Sequence, residues 1–355
     1  MVFHELLLNW YDVYHRKLPW RTTYSPYTVW LSEIMLQQTQ VVTVIDYFKR
    51  FVERFPDVYA LANAAEDDVF KLWEGLGYYS RARNLMRCAR IIVQDYQGVF
   101  PSDKQTLMKL PGIGPYTAGA IASIAFEKYE AAVDGNVMRV MSRIHASNIN
   151  TSDAKNRAVF EAMVMEKMAE RPRDFNQALM ELGATICSPK TPKCDVCPVL
   201  SSCLAAQSDT ALHYPVKTKK MVQKHQNIHV LVIRYKGTFL LEKRPHQGLM
   251  NGLWGFPHIT LESEVSEGIF EAWVEEQFGV KTQNIKKTVG LDHVFTHLIW
   301  HMTLHLLEVT EPPPQIDWPE VRWITKDQFN DVALPTAFKK QLPKIYLLGE
   351  AVDES

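Results

Sequence analysis

The sequence predicts a mainly α-helical N-terminal domain followed by a smaller α+β C-terminal domain. Before residue 205, apolar residues recur at three- and four-residue spacing, which is the period of helices that bury one face. After residue 226 the apolar residues form short runs at strand spacing. A polar, basic stretch separates the two patterns, and 355 residues are enough for two hydrophobic cores.

The helical periodicity is clearest in four segments of the first domain, which we expect to span residues 1–207. Ser102 and Gln105 also match a capping box and predict the start of a short helix that ends at Leu110. The four segments are 45–55, 64–75, 82–96 and 158–169.

Residues 226–350 predict an α+β module with a helix over 264–278. The predicted strands are 228–235, 239–243, 299–309 and 321–324. Residues 208–225 read as a basic interdomain linker, and their lysines suit contact with a phosphate backbone. These lysines are Lys217, Lys219, Lys220 and Lys224.

The composition is that of a soluble globular protein, with 46% hydrophobic and 22% charged residues. No apolar run reaches the roughly 18–20 residues of a membrane span, and no basic leader precedes the first helix. We expect a cytoplasmic monomer that contacts no membrane. The net charge of −1 lacks the basic footprint of a nucleic-acid binder, so DNA binding would need local clusters. Arg81, Arg83, Arg87 and Arg90 form one such cluster, unless they are a solvated helix face.

Four of the five cysteines lie within 17 residues, in the spacing C-x6-C-x2-C-x5-C. Thiolates this close in sequence commonly share a metal, because a tight loop aims them at one point at little entropic cost. The single Cys-x2-Cys pair with wide arms favours an iron–sulfur cluster, while structural zinc and two disulfides remain alternatives. The four residues are Cys187, Cys194, Cys197 and Cys203.

The segment LPGIGPYTA at 110–118 stands between two predicted helices. Gly112 and Gly114 permit a tight hairpin with uncovered backbone amides, and Pro115 suits the first helical turn. Exposed amides at a helix N-terminus can bind phosphate without a lysine. A plain helix connector is the alternative, but the pattern favours a helix–hairpin–helix clamp on a DNA backbone.

Two carboxylates stand out by their positions. Glu33 is the one acid in the apolar helical segment WLSEIMLQQT, so it is either on a solvated face or buried with a raised pKa. Asp134, in VDGNVMRV, heads a helical segment, where an Asp serves as N-cap and stays ionised.

Together these motifs resemble the endonuclease III superfamily of helix–hairpin–helix DNA glycosylases, over about residues 5–205. Within it, LSEIMLQQT, GLGYYSRARNL and VDGNV are similar to the adenine glycosylase branch. The resemblance implies a helix–hairpin–helix glycosylase fold and a 4Fe–4S cluster on the four cysteines, in a loop over 187–203. It implies that Glu33 protonates adenine and that Asp134 stabilises the oxocarbenium-like sugar.

The resemblance also implies roles around these carboxylates. Lyase members have a lysine two residues after the second hairpin glycine, where this chain has Tyr116, so no Schiff base and no strand cleavage are expected. Tyr116 is implied to hydrogen-bond Asp134, and Asn136 to position water or phosphate. Because the adenine must leave the stack, further residues are implied to contact DNA. Gln38, Tyr78 and Leu76 are implied to lie beside the opposite base, and Arg21 and Trp20 to line the adenine pocket.

The C-terminal module resembles the Nudix fold. Against the motif R-E-U-x-E-E-x-G-U (U apolar), aligned on Gly279, this chain has Ala272, Trp273 and Gln277 where the fold's Mg²⁺ chemistry needs charged residues. Pyrophosphatase activity is therefore not expected. Phe295, Thr296 and His297 are similar to a Phe-Ser-His element that contacts the 8-oxoguanine opposite the adenine, and Thr keeps the hydroxyl.

We therefore expect a monofunctional glycosylase acting on adenine opposite 8-oxoguanine or guanine in double-stranded DNA, in a bacterial nucleoid. The alternatives are a pyrimidine-damage glycosylase–lyase of the same superfamily, a non-catalytic iron–sulfur DNA-binding protein, and a Nudix hydrolase with a DNA-binding appendage.

Overall fold

The computed structural model describes residues 2–218, 223–245, 248–261, 268–311 and 319–353. The chain divides into two compact units. The first comprises residues 1–66 and 80–219, and the second comprises residues 67–79 and 220–355. Lys219 and Lys220 of the predicted linker, and residues 264–267 of the predicted C-terminal helix, lie outside the described residues.

Helices dominate the chain before residue 208, as predicted. Their bounds are α1 Phe3–Tyr14, α2 Pro26–Leu36, α3 Val41–Arg54, α4 Val58–Ala62, α5 Glu66–Trp73, α6 Ser80–Tyr96, α7 Lys104–Leu107, α8 Pro115–Ala120, α9 Gly135–Ile144, α10 Arg157–Lys167, α11 Pro172–Thr185 and α12 Leu204–Gln207. A π-helical turn over Ile121–Ala125 continues α8.

The helices of the first unit form because each buries an apolar stripe. In α3, Val44, Phe48 and Phe51 are buried at four- and three-residue spacing. Apolar faces of α1, α9, α10 and α11 share one core, which includes Leu7, Phe160 and Phe175. This core holds α9, which begins just after Asp134, and α11, which ends just before Cys187.

Two local predictions in the first unit are wrong. The short helix α7 is capped by Asp103, whose side chain accepts from the Thr106 N–H at 2.8 Å, and not by the predicted Ser102. Arg81 is not part of a solvated basic face, since it is 8% exposed. Its guanidinium donates to the carbonyls of Ile34 and Met35, both at 2.9 Å, and thereby satisfies the C-terminal end of α2.

The second unit contains the predicted α+β module. Its strands are β1 Lys224–Tyr235, β2 Thr238–Lys243, β3 Trp254–Gly255, β4 His258–Thr260, β5 Thr282–Val289, β6 His293–Val294, β7 Leu298–Val309 and β8 Val321–Thr325. Its helices after residue 268 are α13 Ile269–Phe278, α14 Thr336–Lys339 and α15 Leu342–Asp353. The four predicted strands correspond to β1, β2, β7 and β8, with ends shifted by up to four residues.

These strands form one sheet in the order β3-β2-β1-β7-β5, with β1 and β7 parallel at its centre. Both faces are covered, since Val230 and Leu304 face α14 and α15 while Leu231 and Leu307 face α13. A central pair of strands that is buried on both sides explains the nearly continuous apolar runs of the sequence. No helix among the described residues is long and apolar enough to cross a membrane.

Candidate active site

A pocket of about 680 Å³ in the first unit is lined by both predicted carboxylates, Glu33 and Asp134. Helix α2 supplies Glu33, the N-terminus of α8 supplies Tyr116, and Asp134 directly precedes α9. The volume lies in the range of small-molecule sites and suits a single nucleotide.

Glu33 lies in α2 among buried apolar neighbours such as Trp30 and Ile34, and is itself 6% exposed. Burial raises the pKa of Glu33 to about 7. The hydrogen bond from Tyr116 opposes this rise, and the nearby Asp134 carboxylate adds to it. A carboxyl group with such a pKa is substantially protonated at neutral pH, as a general acid must be.

Asp134 has a different environment, because donors reach both of its oxygens. Its Oδ1 accepts from the Val137 N–H at 2.7 Å, and its Oδ2 accepts from the Asn136 side chain at 3.0 Å. Burial raises the pKa of Asp134, and these donors oppose that rise. Capping of α9 thus fixes this carboxylate, as predicted for an N-cap Asp, and partly offsets the effect of burial, although the pKa of Asp134 remains raised.

Tyr116 donates its hydroxyl to Oε2 of Glu33 and lies 3.7 Å from Sδ of Met180. The hydrogen bond that the resemblance implied, from Tyr116 to Asp134, is therefore replaced by one to the other carboxylate. Tyr116 lies in the first turn of α8, and this bond joins that turn to α2. Donation to Oε2 leaves Oε1 of Glu33 to carry the proton.

Arg21 and Trp20 line the pocket, as expected. A third carboxylate, Glu181 of α11, also lines it, and sequence reasoning missed it. Glu181 is 1% exposed and accepts from Arg16 Nε at 2.6 Å and from Arg21 Nη2 at 2.9 Å. Burial alone would raise the pKa of Glu181, but the two arginines outweigh it and lower that pKa. The signal in the sequence was a lone acid in the apolar run ALMELGA, as for Glu33.

The glycine hairpin has the predicted geometry. Gly112 is left-handed, with φ of 77°, and a Cβ there would lie 2.9 Å from Cβ of Asn84. Gly114 is the N-cap of α8, and both glycines are exposed on either side of the buried Ile113. The Ile113 N–H donates to the Leu110 carbonyl at 3.2 Å, so the exposed positions of this turn that a phosphate could reach are those of Gly112 and Gly114.

Gln38 follows α2 and also lines the pocket, in the left-handed region with φ of 58°. Its position is set by the end of α2, which Arg81 caps. Because an exposed glutamine rarely adopts this backbone conformation without external support, the α2 terminus is held by tertiary contacts.

The four predicted cysteines line one small cavity with Arg143, and none forms a disulfide. Burial and the neighbouring thiols raise the pKa of Cys197 to about 11, so thiolates here repel one another unless a cation compensates. Four free thiols around one cavity are the donor set that an iron–sulfur cluster uses. No group of three His, Cys, Asp or Glu residues in the described parts of the chain is arranged to hold a metal ion.

A chain of hydrogen bonds joins this loop to the pocket. Asn136, which donates to Asp134, accepts from Arg139 Nη2 at 2.8 Å, and Arg139 Nε donates to the Cys187 carbonyl at 2.9 Å. The close approach needs Gly183, where a Cβ would lie 2.7 Å from Cβ of Asn136.

In the second unit, the loop over 75–79 carries Tyr78, which is 47% exposed with φ of 49°. The Trp73 indole, fully buried, donates to the Gly77 carbonyl at 3.1 Å and holds the loop. Leu76, which the resemblance implies near the duplex, is 6% exposed, so its side chain is packed inside the protein in this structure. Its place at the duplex stays a prediction.

Phe295, Thr296 and His297 form the turn between β6 and β7. Phe295 packs edge-on against His293 and Trp300, with ring centroids 4.6 and 5.0 Å apart. Thr296 and His297 are exposed at the tip. These two side chains are the most exposed of the element, and Phe295 is half-buried.

Comparisons with known proteins match both halves of the chain. The family model of the HhH-GPD superfamily of base excision DNA repair proteins matches residues 31–164, and a NUDIX domain model matches residues 229–344. The adenine DNA glycosylase of Mus musculus is 36% identical over 397 aligned positions, which cover 95% of this chain and 76% of that protein. That of Buchnera aphidicola subsp. Baizongia pistaciae is 37% identical over 308 positions, covering 86% and 85%.

The chain belongs to the adenine DNA glycosylase family. Among solved structures, a thermostable thymine-DNA glycosylase is similar with a TM-score of 0.53 and 30% identity, covering 58% of this chain and 95% of that one. An endonuclease III in a non-covalent DNA complex has a TM-score of 0.50 at 23% identity, covering 58% and 94%, which concerns the fold alone. The predicted combination of a helix–hairpin–helix glycosylase fold and a Nudix-like domain is confirmed.

This adenine DNA glycosylase family member keeps the Nudix helix but only one of the four charged residues of the motif, Glu276. In α13, Phe270, Val274 and Phe278 are buried, and Gly279 ends the helix in the left-handed region. Ala272 and Gln277 are exposed where the motif needs charged residues. The helix therefore serves the core of the module.

Proposed function

We propose that this protein hydrolyses the N-glycosidic bond of adenine paired with 8-oxoguanine, or with guanine, in double-stranded DNA. The observation that carries the proposal is the pair Glu33 and Asp134 in one pocket: burial raises the pKa of Glu33 to about 7 against one donated hydrogen bond, while two donors reach Asp134 and oppose the effect of its burial. Two carboxyl groups in one pocket can take the acid and stabiliser roles of a glycosidase when one is protonated and the other ionised.

In the proposed reaction, Glu33 transfers its proton to N7 of adenine. The bond from C1′ to N9 breaks, and its electrons stay with the base as neutral adenine. Asp134, in its ionised form, stabilises the positive sugar until water adds to C1′, and the proton that this water loses passes to the Glu33 carboxylate, which restores the acid. Asn136, which donates to Asp134, keeps the carboxylate in place and helps to position that water or a phosphate.

The target adenine must leave the duplex to reach Glu33. Arg21 and Trp20 would line its pocket, and the amides near Gly112 and Gly114 would hold the backbone. Gln38 and Tyr78 would contact the strand beside the opposite base. Both have left-handed backbones, which are commonly retained where a side chain must protrude at a functional site.

The reaction should stop after base release. Tyr116 occupies the position of the lyase lysine, and the described lining of the pocket includes arginines but no lysine. An imine with the sugar needs a neutral amine, which arginine does not supply. The rival glycosylase–lyase function is therefore disfavoured.

We infer that the four cysteines hold a 4Fe–4S cluster. Once bound, the cluster would order the 187–203 loop, and base hydrolysis requires no electron transfer. Arg143 is the residue of this chain that prepares the loop. It is buried, and it donates to Sγ of Cys187 at 3.2 Å and to the carbonyls of Ser188 and Ala211, both at 2.8 Å.

Replacing Arg143 by Met should lower the iron content to less than half that of the wild type. The change leaves buried carbonyls without a donor, and each unsatisfied group costs about 1–3 kcal/mol. Iron per chain and absorbance near 400 nm measure the effect. Arg90→Met, at an exposed position, is the control, and equal iron in both variants would argue against the role of Arg143.

Single-turnover base release from two duplexes, A opposite 8-oxoguanine and A opposite T, tests the proposed function. We expect release only from the first, visible as strand cleavage only after hot alkali. Nicking without alkali would support the glycosylase–lyase. No release from either duplex by iron-loaded protein would support a non-catalytic DNA-binding protein.

A further inference from the structure

The Thr296–His297 turn lacks the features that hold a tight hairpin in one conformation. Strands β6 and β7 pair as His293↔Trp300 and Val294↔Ile299, and the Phe295 N–H donates to the Leu298 carbonyl at 2.8 Å. Two-residue hairpin loops favour turn types with positive φ, for which Gly and Asn are suited. Neither Thr296 nor His297 has a positive φ. The turn therefore needs support from outside the hairpin.

We propose that Gln223 is the positioning residue that fixes this turn and so determines specificity for the base opposite the adenine. This rests on the proposed contact of Thr296 with that base. The Gln223 side-chain amide donates to the Phe295 carbonyl at 2.7 Å and lies 3.5 Å from the Thr296 carbonyl. The next residue, Lys224, donates its N–H to the His297 carbonyl at 3.0 Å.

The register of the sheet explains why Gln223 reaches the turn. Strand β1 begins at Lys224, which pairs in parallel with Leu298, the first residue of β7. One residue earlier along both strands, Gln223 lies beside His297. Three consecutive carbonyls of the turn are thus approached by donors from residues 223 and 224, and the Phe295 carbonyl receives the shortest bond.

We call the hydrogen bonds from Gln223 and Lys224 to the turn carbonyls the Gln223 clamp. This clamp also sets a second contact within the same compact unit. Oγ1 of Thr296 lies 3.0 Å from the Tyr78 hydroxyl. Either oxygen can donate, so a shift of the turn by a few tenths of an ångström changes both the partner of Tyr78 and the direction in which Thr296 offers its hydroxyl. Specificity that rests on one hydroxyl requires such fixed geometry.

Gln223→Met tests the clamp, because it keeps the length of the side chain and removes the donor. We expect its preference for A opposite 8-oxoguanine over A opposite G, in single-turnover rates, to fall about fivefold to tenfold, the value of one hydrogen bond. In a Thr296→Val background the same change should have no further effect, because Gln223 acts through Thr296. The inference would be overturned if Thr296→Val loses the preference while Gln223→Met keeps it within twofold of the wild type.

A matched pair of variants separates the clamp from charge. Gln223→Glu and Gln226→Glu add the same charge three residues apart, but the Gln226 side chain accepts from the Trp300 indole at 3.1 Å, and a glutamate keeps that bond. We expect Gln223→Glu to lose the preference for A opposite 8-oxoguanine and Gln226→Glu to keep it. Equal loss in both would contradict the clamp.

Amide hydrogen exchange distinguishes failure of the clamp from failure of the proposed function. Gln223→Met should speed exchange at Phe295 and Lys224, whose N–H groups donate to the Leu298 and His297 carbonyls, at least fivefold, whatever base the enzyme prefers. If the wild type shows no preference for 8-oxoguanine, the proposed opposite base is wrong. Unchanged exchange in the variant overturns the positioning role itself.

Discussion

Replacing Glu33 by Gln is expected to lower single-turnover adenine release by about 10²–10⁴-fold, the usual contribution of a general acid. Gln has the same shape and still accepts from the Tyr116 hydroxyl, so the pocket and its DNA contacts should persist. It has no proton that it can transfer to N7. Affinity for an A:8-oxoguanine duplex should therefore stay within about threefold of the wild type, which separates an enzyme from a pure DNA binder.

The pH dependence follows from the pKa of about 7 for Glu33. The acid must be protonated, so the rate of the wild type should be highest below pH 7. It should fall about tenfold per pH unit above pH 8. The rate of the Glu33→Gln variant should not show this fall above pH 8. A wild-type rate that rises from pH 7 to 9 would exclude Glu33 as the acid.

The same substitution provides its own folding control. The pKa of Glu33 is about 7 in the folded chain against an ordinary value of 4.5, so the folded state holds the proton more tightly. The stability that Glu33 contributes is fully present below pH 4.5 and is lost as the pH rises through 7. Glu33→Gln should thus melt above the wild type at pH 8, and the gap should narrow at pH 5. Glu161→Gln, outside the pocket, should show neither effect.

Replacing Asp134 by Asn is expected to reduce base release about 10³-fold, the loss typical of a group that stabilises transition-state charge. Asn is as good an N-cap as Asp, so its side-chain oxygen can still accept from the Val137 N–H. The negative charge opposite the sugar is lost. The side-chain NH2 group of Asn136 then faces a second NH2 group in place of a carboxylate oxygen. The lost hydrogen bond should lower the free energy of unfolding by about 1 kcal/mol.

Asp57→Asn is the matched control for this variant. Asp57 caps α4 by accepting from the Ala60 N–H at 2.8 Å, so the chemical change is the same at a helix N-terminus away from the pocket. Thermal unfolding and single-turnover rates should be measured for both. If Asp134→Asn keeps more than a tenth of the wild-type rate, charge stabilisation by this residue is refuted.

The fold could be predicted from the sequence because its signals are local. The change from helical to strand spacing depends on neighbours within four residues, and β1, β2, β7 and β8 were found by it. Cap selection is less certain, since Ser102 and Asp103 are adjacent candidates and only the backbone path decides between them. The sequence contained both, and the structure uses Asp103.

The site was predictable where a residue type has an unusual neighbourhood, as Glu33 does in α2. It was not predictable where partners are distant. Glu181 pairs with Arg16, 165 positions away, and no periodicity signals such a pair. Arg81 looked like part of a basic face because spacing within one helix cannot show that α2 ends against it. The direction of Tyr116 likewise depends on how α8 meets α2.

The second compact unit is discontinuous, since it combines residues 67–79 with residues 220–355. During synthesis, residues 67–79 leave the ribosome before the whole of the sheet. At about 5–20 residues per second, translation of the intervening chain takes roughly 7–30 s. The polypeptide that forms the pocket is thus made before the partners of the Tyr78 loop exist. We expect a nascent chain to contain Glu33, the Tyr78 loop and Asp134 well before the Thr296–His297 turn, to which we assign contact with the opposite base, has been made.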